Sequence, residues 1–402
     1  MDLTTDHPYW AVKDGILASY PPLEADLHCE VAVLGAGITG ALAAEALSAE
    51  GHDVVVLDAR DICHGSTCAS TALLQYEIDT HLVDLIARYG EPIGAIAYRA
   101  CHEAIDRLEE KIRTLAIDCA FVRRPSVYLV SRNEEWPVLQ QEARARRRLG
   151  IEVEEWSSTD IAARFGFVRS GALMSPQAAE VDPYRLAHGL LAAARRNGTR
   201  IHDRTRVTQI EETTEHVVLH TDRGRRVKAR HLIVATGYES TELFDIGQFV
   251  KLTSTFAVAS EPLNAGQLWW ESCLLWESSR PYFYLRADRE SRALFGGGDV
   301  PFRNAKARDK LLPAKAKQLV KDFHELFPAI SMEPAWTWAG TFGETVDGLA
   351  YIGRYAKHPH CLFALGYGGN GIIYSVVAAE MLRCELAGKR HPYADAFRFD
   401  RH

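Results

Sequence analysis

Three glycines, Gly35, Gly37 and Gly40, follow the apolar run Val31-Ala32-Val33-Leu34 and open a stretch rich in Ala, Leu and Glu that closes at Gly51. The spacing is G-x-G-x-x-G. The first glycine permits a tight strand-to-helix turn, the second lets the backbone approach a pyrophosphate, and the third lets the helix pack closely on the strand. The helix start supplies free N–H groups and a partial positive charge to a phosphate. A second apolar run, residues 54–57, ends at Asp58, where an acid binds a ribose hydroxyl. Strand, glycine turn, helix, strand and acid in register specify a dinucleotide site, with a free 2′-hydroxyl favoured over a 2′-phosphate. This motif alone leaves FAD and NAD both open.

Other residues with chemical potential lie further along. Residues 59–71 are small and polar, and include His64, Ser66, Thr67, Cys68, Ser70 and Thr71. Their backbone amides suit a phosphate or a ring edge, although a plain Ser/Thr helix cap reads the same way. The run 231–234 stops at Ala235-Thr236-Gly237, a backbone-only surface. A second glycine loop, Gly366-Tyr367-Gly368-Gly369-Asn370-Gly371, opens a long helix over 372–386. Its amides suit an electron-rich ring edge, with a glycine packing turn as the alternative. Tyr282, Tyr284 and Arg286 share one face if they form a strand. That face reads as an aromatic wall with a cation for an anionic group, or as core tyrosines beside an exposed arginine. Arg280 is a second cation, Lys251 a candidate for assisting oxygen reduction, and His64 a candidate base. Glu344 and Asp347 read as residues that fix a loop.

The elements that must hold these residues alternate in type. Residues 82–115 carry apolar side chains at helical spacing, 121–130 read as strand, and 136–149 as an amphipathic helix. Ser157-Ser158-Thr159-Asp160 caps a short helix at 161–165, and Asp182-Pro183 opens a helix that stops at Asn197-Gly198. A β-meander follows over 200–228. Strands at 250–260, 269–276, 281–286 and 292–298 precede a Lys-rich helix at 306–327 and a strand at 336–340. An α+β region therefore interrupts a dinucleotide fold. Residues 1–24 read as an irregular lead-in whose aromatics, Tyr9 and Trp10, pack on the surface.

Composition bounds the rest. The 402 residues are 47% hydrophobic and 25% charged, with a formal net charge of −7. That is ordinary globular composition, enough for two domains, with nothing to favour a nucleic-acid partner. The start lacks a basic region followed by an apolar one, and the most apolar window is broken by glycines, so neither a signal peptide nor a transmembrane segment is expected. Eight scattered cysteines without a C-x-x-C pair read as buried free thiols rather than a metal site, and the chain as cytoplasmic.

Taken in order, G-A-G-I-T-G with Asp58, Gly65-Ser66, Val181-Asp182-Pro183, Val207, Ala235-Thr236-Gly237, Tyr284-Leu285-Arg286 before Gly296-Gly297, Trp338-Ala339-Gly340, Asp347-Gly348, Tyr351-Ile352-Gly353 and Asn370-Gly371-Ile372 form a set. In this order the chain resembles the FAD-dependent oxidoreductases of the D-amino-acid oxidase and glycine oxidase superfamily, nearest the γ-glutamylputrescine oxidase-like branch. The resemblance runs from about Cys29 to Gly388.

The resemblance implies an α/β fold. A Rossmann-type, glutathione-reductase-like FAD domain would come from residues 25–90, 176–249 and 335–390. An interleaved α+β substrate domain on a mixed antiparallel sheet would come from 91–175 and 250–334. Implied cofactor contacts are Gly35, Gly37, Ile38, Thr39, Gly40, Asp58, Ala59, Arg60, Ser66, Thr67, Ser70, Thr71, Val207, Ala235, Thr236, Gly237, Gly340, Ile352, Gly353, Gly368, Gly369, Asn370, Gly371 and Ile372. The candidate catalytic residues, from the readings of the residues above, are Tyr282, Tyr284, Arg286 and Lys251.

The implied reaction is hydride transfer to flavin N5 from the carbon beside an amine nitrogen, followed by hydrolysis of the imine, with oxygen or a quinone as final acceptor. The chain departs from the family pattern in three places. Residues 338–343 lack the arginine that holds a substrate carboxylate, Gly369 stands where an arginine occurs, and Ala350 where proline is common. The C-terminal glycine loop has no cysteine, so FAD is expected to be noncovalent. Rival readings are an FAD-dependent 2-hydroxy acid or polyol dehydrogenase, and a flavin-binding subunit of a larger complex.

Overall fold

A computed structural model of the chain describes residues 2–5, 7–264 and 266–401. Positions 1 and 6 of the lead-in and position 265 of the expected substrate domain lie outside the described residues. Two sheets organise the fold. In the first, Tyr351–Tyr355, His358–Leu365, Arg226–Val234, Leu27–Leu34, Val54–Leu57 and Arg200–His202 lie side by side in that order. All neighbours are parallel except the first pair. Val207–Glu212 and Val217–Thr221 extend this sheet as an antiparallel meander beside Arg226–Val234.

The central strand is covered on both faces, which is why residues 31–34 are continuously apolar rather than alternating. Helices Ile38–Ala49, Pro183–Arg196 and Gly371–Leu386 share one core with it. Asp182 caps the second of these, accepting from the amides of Tyr184 at 3.1 Å and Arg185 at 2.9 Å. Such a cap stabilises a helix by about 1 kcal/mol.

Register decides where ligand chemistry can sit. Leu34 pairs with Leu57 on one side and Val234 on the other. Gly35, Asp58 and Ala235 therefore emerge together at the carboxyl edge of three parallel strands, where the strand order reverses and open α/β sheets bind ligands.

The second sheet runs Pro334–Glu344, Lys251–Pro262, Arg292–Pro301, Tyr284–Ala287, Leu274–Glu277, Val122–Leu129, Gly171–Glu180, Leu73–Gln75, with Glu154–Ser157 beside Gly171–Glu180. It is antiparallel except where Leu274–Glu277 meets Val122–Leu129. Helix Ala305–Leu326 packs on its far face.

Several expectations shift. The sheets do not divide the chain at the expected boundaries. Leu73–Gln75, Gly171–Glu180 and Pro334–Glu344 all hydrogen-bond in the second sheet. Residues 82–115 form two helices, Leu82–Tyr89 and Glu91–Leu115, separated by Gly90 at φ +83°. The longer helix packs on the helices of the first sheet, because its apolar stripe finds its partner surface there. Residues 269–276 contain a 3-10 turn, Trp270–Ser272, before the strand Leu274–Glu277.

The lead-in is the largest change. Tyr9 and Trp10 are fully buried between the sheets rather than on the surface. Tyr9 donates to the Asp288 carboxylate and Trp10 Nε1 donates to the Ser70 carbonyl at 2.7 Å. Thr4 bridges to Gly340. Among the described residues no helix is long and apolar enough to cross a membrane. All eight cysteines are free, six of them buried.

Candidate active site

One continuous cleft begins at the carboxyl edge of the first sheet and ends on the second. Its start is built from close backbone contacts. A Cβ on Gly35, at φ +104°, would lie 2.4 Å from the Ala235 carbonyl oxygen. A Cβ on Gly40 would lie 1.8 Å from the Gly35 carbonyl oxygen, so Gly40 seats the helix on the strand and does not line the cleft. Gly37 does line it, and its absent Cβ would fall 2.9 Å from Thr67 Oγ1, which accepts from the Ile38 amide at 2.9 Å.

Asp58 accepts from the Ala36 amide at 2.7 Å and the Arg60 amide at 2.9 Å. Burial pushes its carboxyl up to about 6 against the pull of those two amides. The Arg60 guanidinium forms a two-point pair with Glu239, at 2.8 and 2.6 Å. Ile38, Thr39, Ala59, Arg60, Arg206 and Val207 line this end.

The middle is lined by Ser66, Thr67, Ser70, Thr71, by Ala235, Thr236, Gly237, by Gly340 and by Gly368, Gly369, Asn370, Gly371 and Ile372. Here the protein leaves polar atoms without partners. Ser66 Oγ, Thr236 Oγ1 and Asn370 Nδ2 are buried and have no hydrogen bond among the described residues. Helix Gly371–Leu386 starts at this wall without a side-chain cap, so its first amides face the cleft unfilled.

A buried orphan donor costs about 1–3 kcal/mol. A row of them along a cleft that starts at a glycine cradle fits FAD, with phosphates on the glycine turn and a ring edge on the second helix start. No described cysteine lines the cleft. Ile352 and Gly353 lie away from it: a Cβ on Gly353 would meet Glu385 Oε2 at 3.0 Å, beside helix Gly371–Leu386.

The far end rests on the second sheet. Tyr282 and Tyr284 line it, together with Trp276, Thr255, Asp79 and Asp299. Tyr282 donates to Asp79 Oδ1 at 3.2 Å, while the Gly369 amide donates to Asp79 Oδ2 at 3.3 Å. Asp79 thus ties the second sheet's aromatic wall to the C-terminal glycine loop. Tyr284 shares a 2.8 Å hydrogen bond with Thr255. Burial holds both phenols well above their ordinary range. Gly296 makes room for the Tyr284 ring, since a Cβ there would lie 2.2 Å from it.

The two expected cations are elsewhere. Arg286 lies on the same strand face but two residues deeper, beneath the 70–72 loop. It is 1% exposed, donates to the Ala72 carbonyl at 3.1 Å and sits 5.1 Å over the Trp10 ring, near Glu180 and Asp288. Lys251 is exposed at the start of strand Lys251–Pro262, opposite Glu344, and does not line the cleft. His64 turns its Nδ1 to the Ile62 carbonyl at 3.0 Å, and Cys68 donates to the Gly65 carbonyl.

Asp79, Asp299, Thr255 and Trp276 were not identified from sequence. The only signal for Asp299 is the run Gly296-Gly297-Gly298 before it, which marks a bulge.

The sequence profile of the FAD dependent oxidoreductase family matches residues 30–384. The chain belongs to this family. It is an FAD-dependent oxidoreductase, and the profile spans the glycine cradle, the aromatic wall and the C-terminal glycine loop. The chain is 28% identical to gamma-glutamylputrescine oxidoreductase of Escherichia coli (strain K12), over 98% of this chain and 91% of that protein. It is 24% identical to glycine oxidase of Geobacillus kaustophilus (strain HTA426), over 91% and 96%. Among solved structures, glycine oxidase from Geobacillus kaustophilus superposes with a TM-score of 0.79 over 94% of this chain and 99% of that one, at 21% identity. L-proline dehydrogenase from P. horikoshii gives a TM-score of 0.77 over 94% and 99%, at 17% identity. These two share the flavoprotein's fold.

Proposed function

We propose that this flavoprotein oxidises the C–N bond of an amine or amino acid. The observation that carries the reading is the single cleft: a cofactor-fitting half on the first sheet opens directly onto an enclosed aromatic and polar end on the second. The names of the two curated relatives, an oxidoreductase of gamma-glutamylputrescine and an oxidase of glycine, support nitrogen-bearing substrates.

When bound, FAD supplies the acceptor for a hydride from the carbon beside the nitrogen. The chain's own residues do the positioning. Gly35, Gly37 and the amides after them would hold the pyrophosphate, Asp58 a ribose hydroxyl, and Val207 the adenine end. Ser66, Thr67 and Thr236 would meet polar atoms along the middle. Asp79 fixes Gly369 and Tyr282 to one carboxylate, which holds the two walls at a set separation. Trp276, Tyr282 and Tyr284 exclude water around the reacting carbon. The flavin is held without a covalent bond, and it leaves the protein on SDS or acid treatment.

The test is anaerobic reduction of the holoenzyme's visible flavin band by amines, amino acids and 2-hydroxy acids. Bleaching by nitrogen compounds alone supports the proposal, and bleaching by hydroxy acids alone overturns it. A band unmoved by all three classes points instead to a flavin subunit. Reoxidation in air separates oxygen from a quinone as acceptor.

A further inference from the structure

The far end of the cleft carries charge of one sign. Each charged residue that the second sheet and the loop after Leu73–Gln75 contribute to its lining is acidic: Glu77, Asp79 and Asp299. The lining arginines, Arg60 and Arg206, belong to the opposite end. Arg286 and Lys251 lie outside the cleft, as described above. Arg280 sits outside the lining, 48% exposed and 4.5 Å over the outer Tyr282 ring, where it donates to the Asp79 carbonyl and pairs with the Asp79 carboxylate at 3.7 Å.

Asp299 is aimed by backbone geometry. The pairing between Lys251–Pro262 and Arg292–Pro301 slips between Ser254 and Phe256, opposite Gly297 and Gly298 at φ +145° and +67°. A bulge of this kind turns a side chain to a new direction. Here it brings the Asp299 carboxylate into the cleft beside Thr255 and Tyr284. Its Oδ1 is buried and has no hydrogen-bond partner, and no described Lys or Arg pairs with it. Lys315 meets the neighbouring Gly298 with its Nζ over the Phe256 ring.

A second, independent orphan lies in the same lining. Glu77 is 7% exposed and keeps Oε2 without a partner, while Oε1 lies 3.5 Å from Arg146. Two buried carboxylate oxygens left open in one cavity, beside Trp276, Tyr282 and Tyr284, are the chemistry of ammonium recognition: charge-assisted hydrogen bonds from the carboxylates and ring faces for the alkyl ammonium.

We propose that this end of the cleft selects substrates by a protonated nitrogen, with Asp299 as the anchoring carboxylate, so that the enzyme takes alkyl amines in preference to α-amino acids. This rests on the C–N reading above and sharpens it. An α-carboxylate placed here meets the unpaired Asp299, while the nearest arginines, Arg146 and Arg280, are already engaged by Glu77 and Asp79.

The test compares charge on the holoenzyme with three probes that share a tert-butyl group and have no hydrogen on the carbon beside the heteroatom: tert-butylammonium, tert-butanol and pivalate. Binding is read by calorimetry and by perturbation of the flavin band. The expected order is ammonium tightest, alcohol roughly ten- to hundredfold weaker and pivalate undetectable, as loss of a charged hydrogen bond implies. Asp299→Asn removes the advantage of the ammonium and leaves the alcohol unchanged, and Asp299→Glu restores part of it.

Burial and the neighbouring Glu344 and Asp79 raise the Asp299 carboxyl, while Thr255 and Arg280 lower it, to a net value of about 6. Affinity for tert-butylammonium therefore falls as pH drops through that value. Pivalate binding as tightly as the ammonium, no binding of the ammonium, or an Asn variant that binds all three like the wild type overturns the proposal. If tert-butylammonium binds as expected and no amine bleaches the flavin, the cation site stands and the C–N oxidation reading fails.

Discussion

Gly37 offers a clean perturbation of the cofactor cradle. Its backbone is extended, at φ −78° and ψ −171°, a region open to any residue, so alanine introduces no backbone strain. The added Cβ lies 2.9 Å from Thr67 Oγ1, inside the 3.4 Å where ordinary contact begins. Thr67 must turn away, which breaks its 2.9 Å bond to the Ile38 amide. Loss of one such bond costs about 1 kcal/mol, or roughly 1 °C of melting temperature for a protein of this size. The fold is therefore expected to survive.

FAD suffers twice, because the methyl occupies the place where the backbone must be bare and the Thr67 hydroxyl is displaced. Apo Gly37→Ala is expected to bind FAD at least tenfold more weakly, about 1.4 kcal/mol. The assay is titration of apoprotein with FAD by flavin fluorescence, with a melting curve of the apo form alongside. An unchanged FAD affinity in a variant whose melting temperature has fallen would refute the cradle assignment.

Three further outcomes follow from particular contacts. Arg286→Met leaves Glu180 and Asp288 without their buried neighbour and is expected to cost about 3 kcal/mol of stability. Equilibrium denaturation reads the loss, and an undiminished stability together with a raised KM would return Arg286 to the substrate site. Gly296→Ala drives a methyl into the Tyr284 ring, and is expected to reduce substrate turnover far more than FAD affinity, a split read by steady-state kinetics against FAD titration.

Asp347, buried, is nevertheless drawn down to about 2 by Arg401, which reaches its two oxygens at 2.8 and 3.0 Å. A depressed carboxyl stabilises the fold above its unfolded value near 4 and loses that contribution as pH falls towards 2. The expected loss is about 2 kcal/mol over that window. Melting curves from pH 5 to pH 2 should lose that slope in Asp347→Asn.

The local features were legible because local physics decides them. The glycine cradle, the helix caps at Ser157 and Asp182, and the alternation that brings Tyr282 and Tyr284 to one wall depend on residues only a few positions apart. The lead-in was misread because Tyr9 and Trp10 find their partners, Asp288, Trp338 and Ser70, far along the chain. The break at Gly90 was masked by apolar spacing that continues across it. Arg286 has the same strand phase as the two tyrosines. Only the position of the 70–72 loop above it turns a candidate substrate cation into a structural one.

The sequence by itself determined that this chain holds a dinucleotide, because each glycine of the cradle answers a steric demand made within a few residues. It also showed a second glycine loop, residues 366–371, that opens a helix, and the fold brings that loop to the same cleft. The tertiary structure alone decided what faces the far end of that cofactor site. Asp79, from the loop after Leu73–Gln75, and Asp299 lie 220 positions apart in the chain, and Asp299 reaches the cleft through a bulge set by its neighbour strand. Packing then engages Asp79 with Arg280, Tyr282 and Gly369 and leaves Asp299 Oδ1 without a partner, a charge balance that no spacing of residues along the chain records.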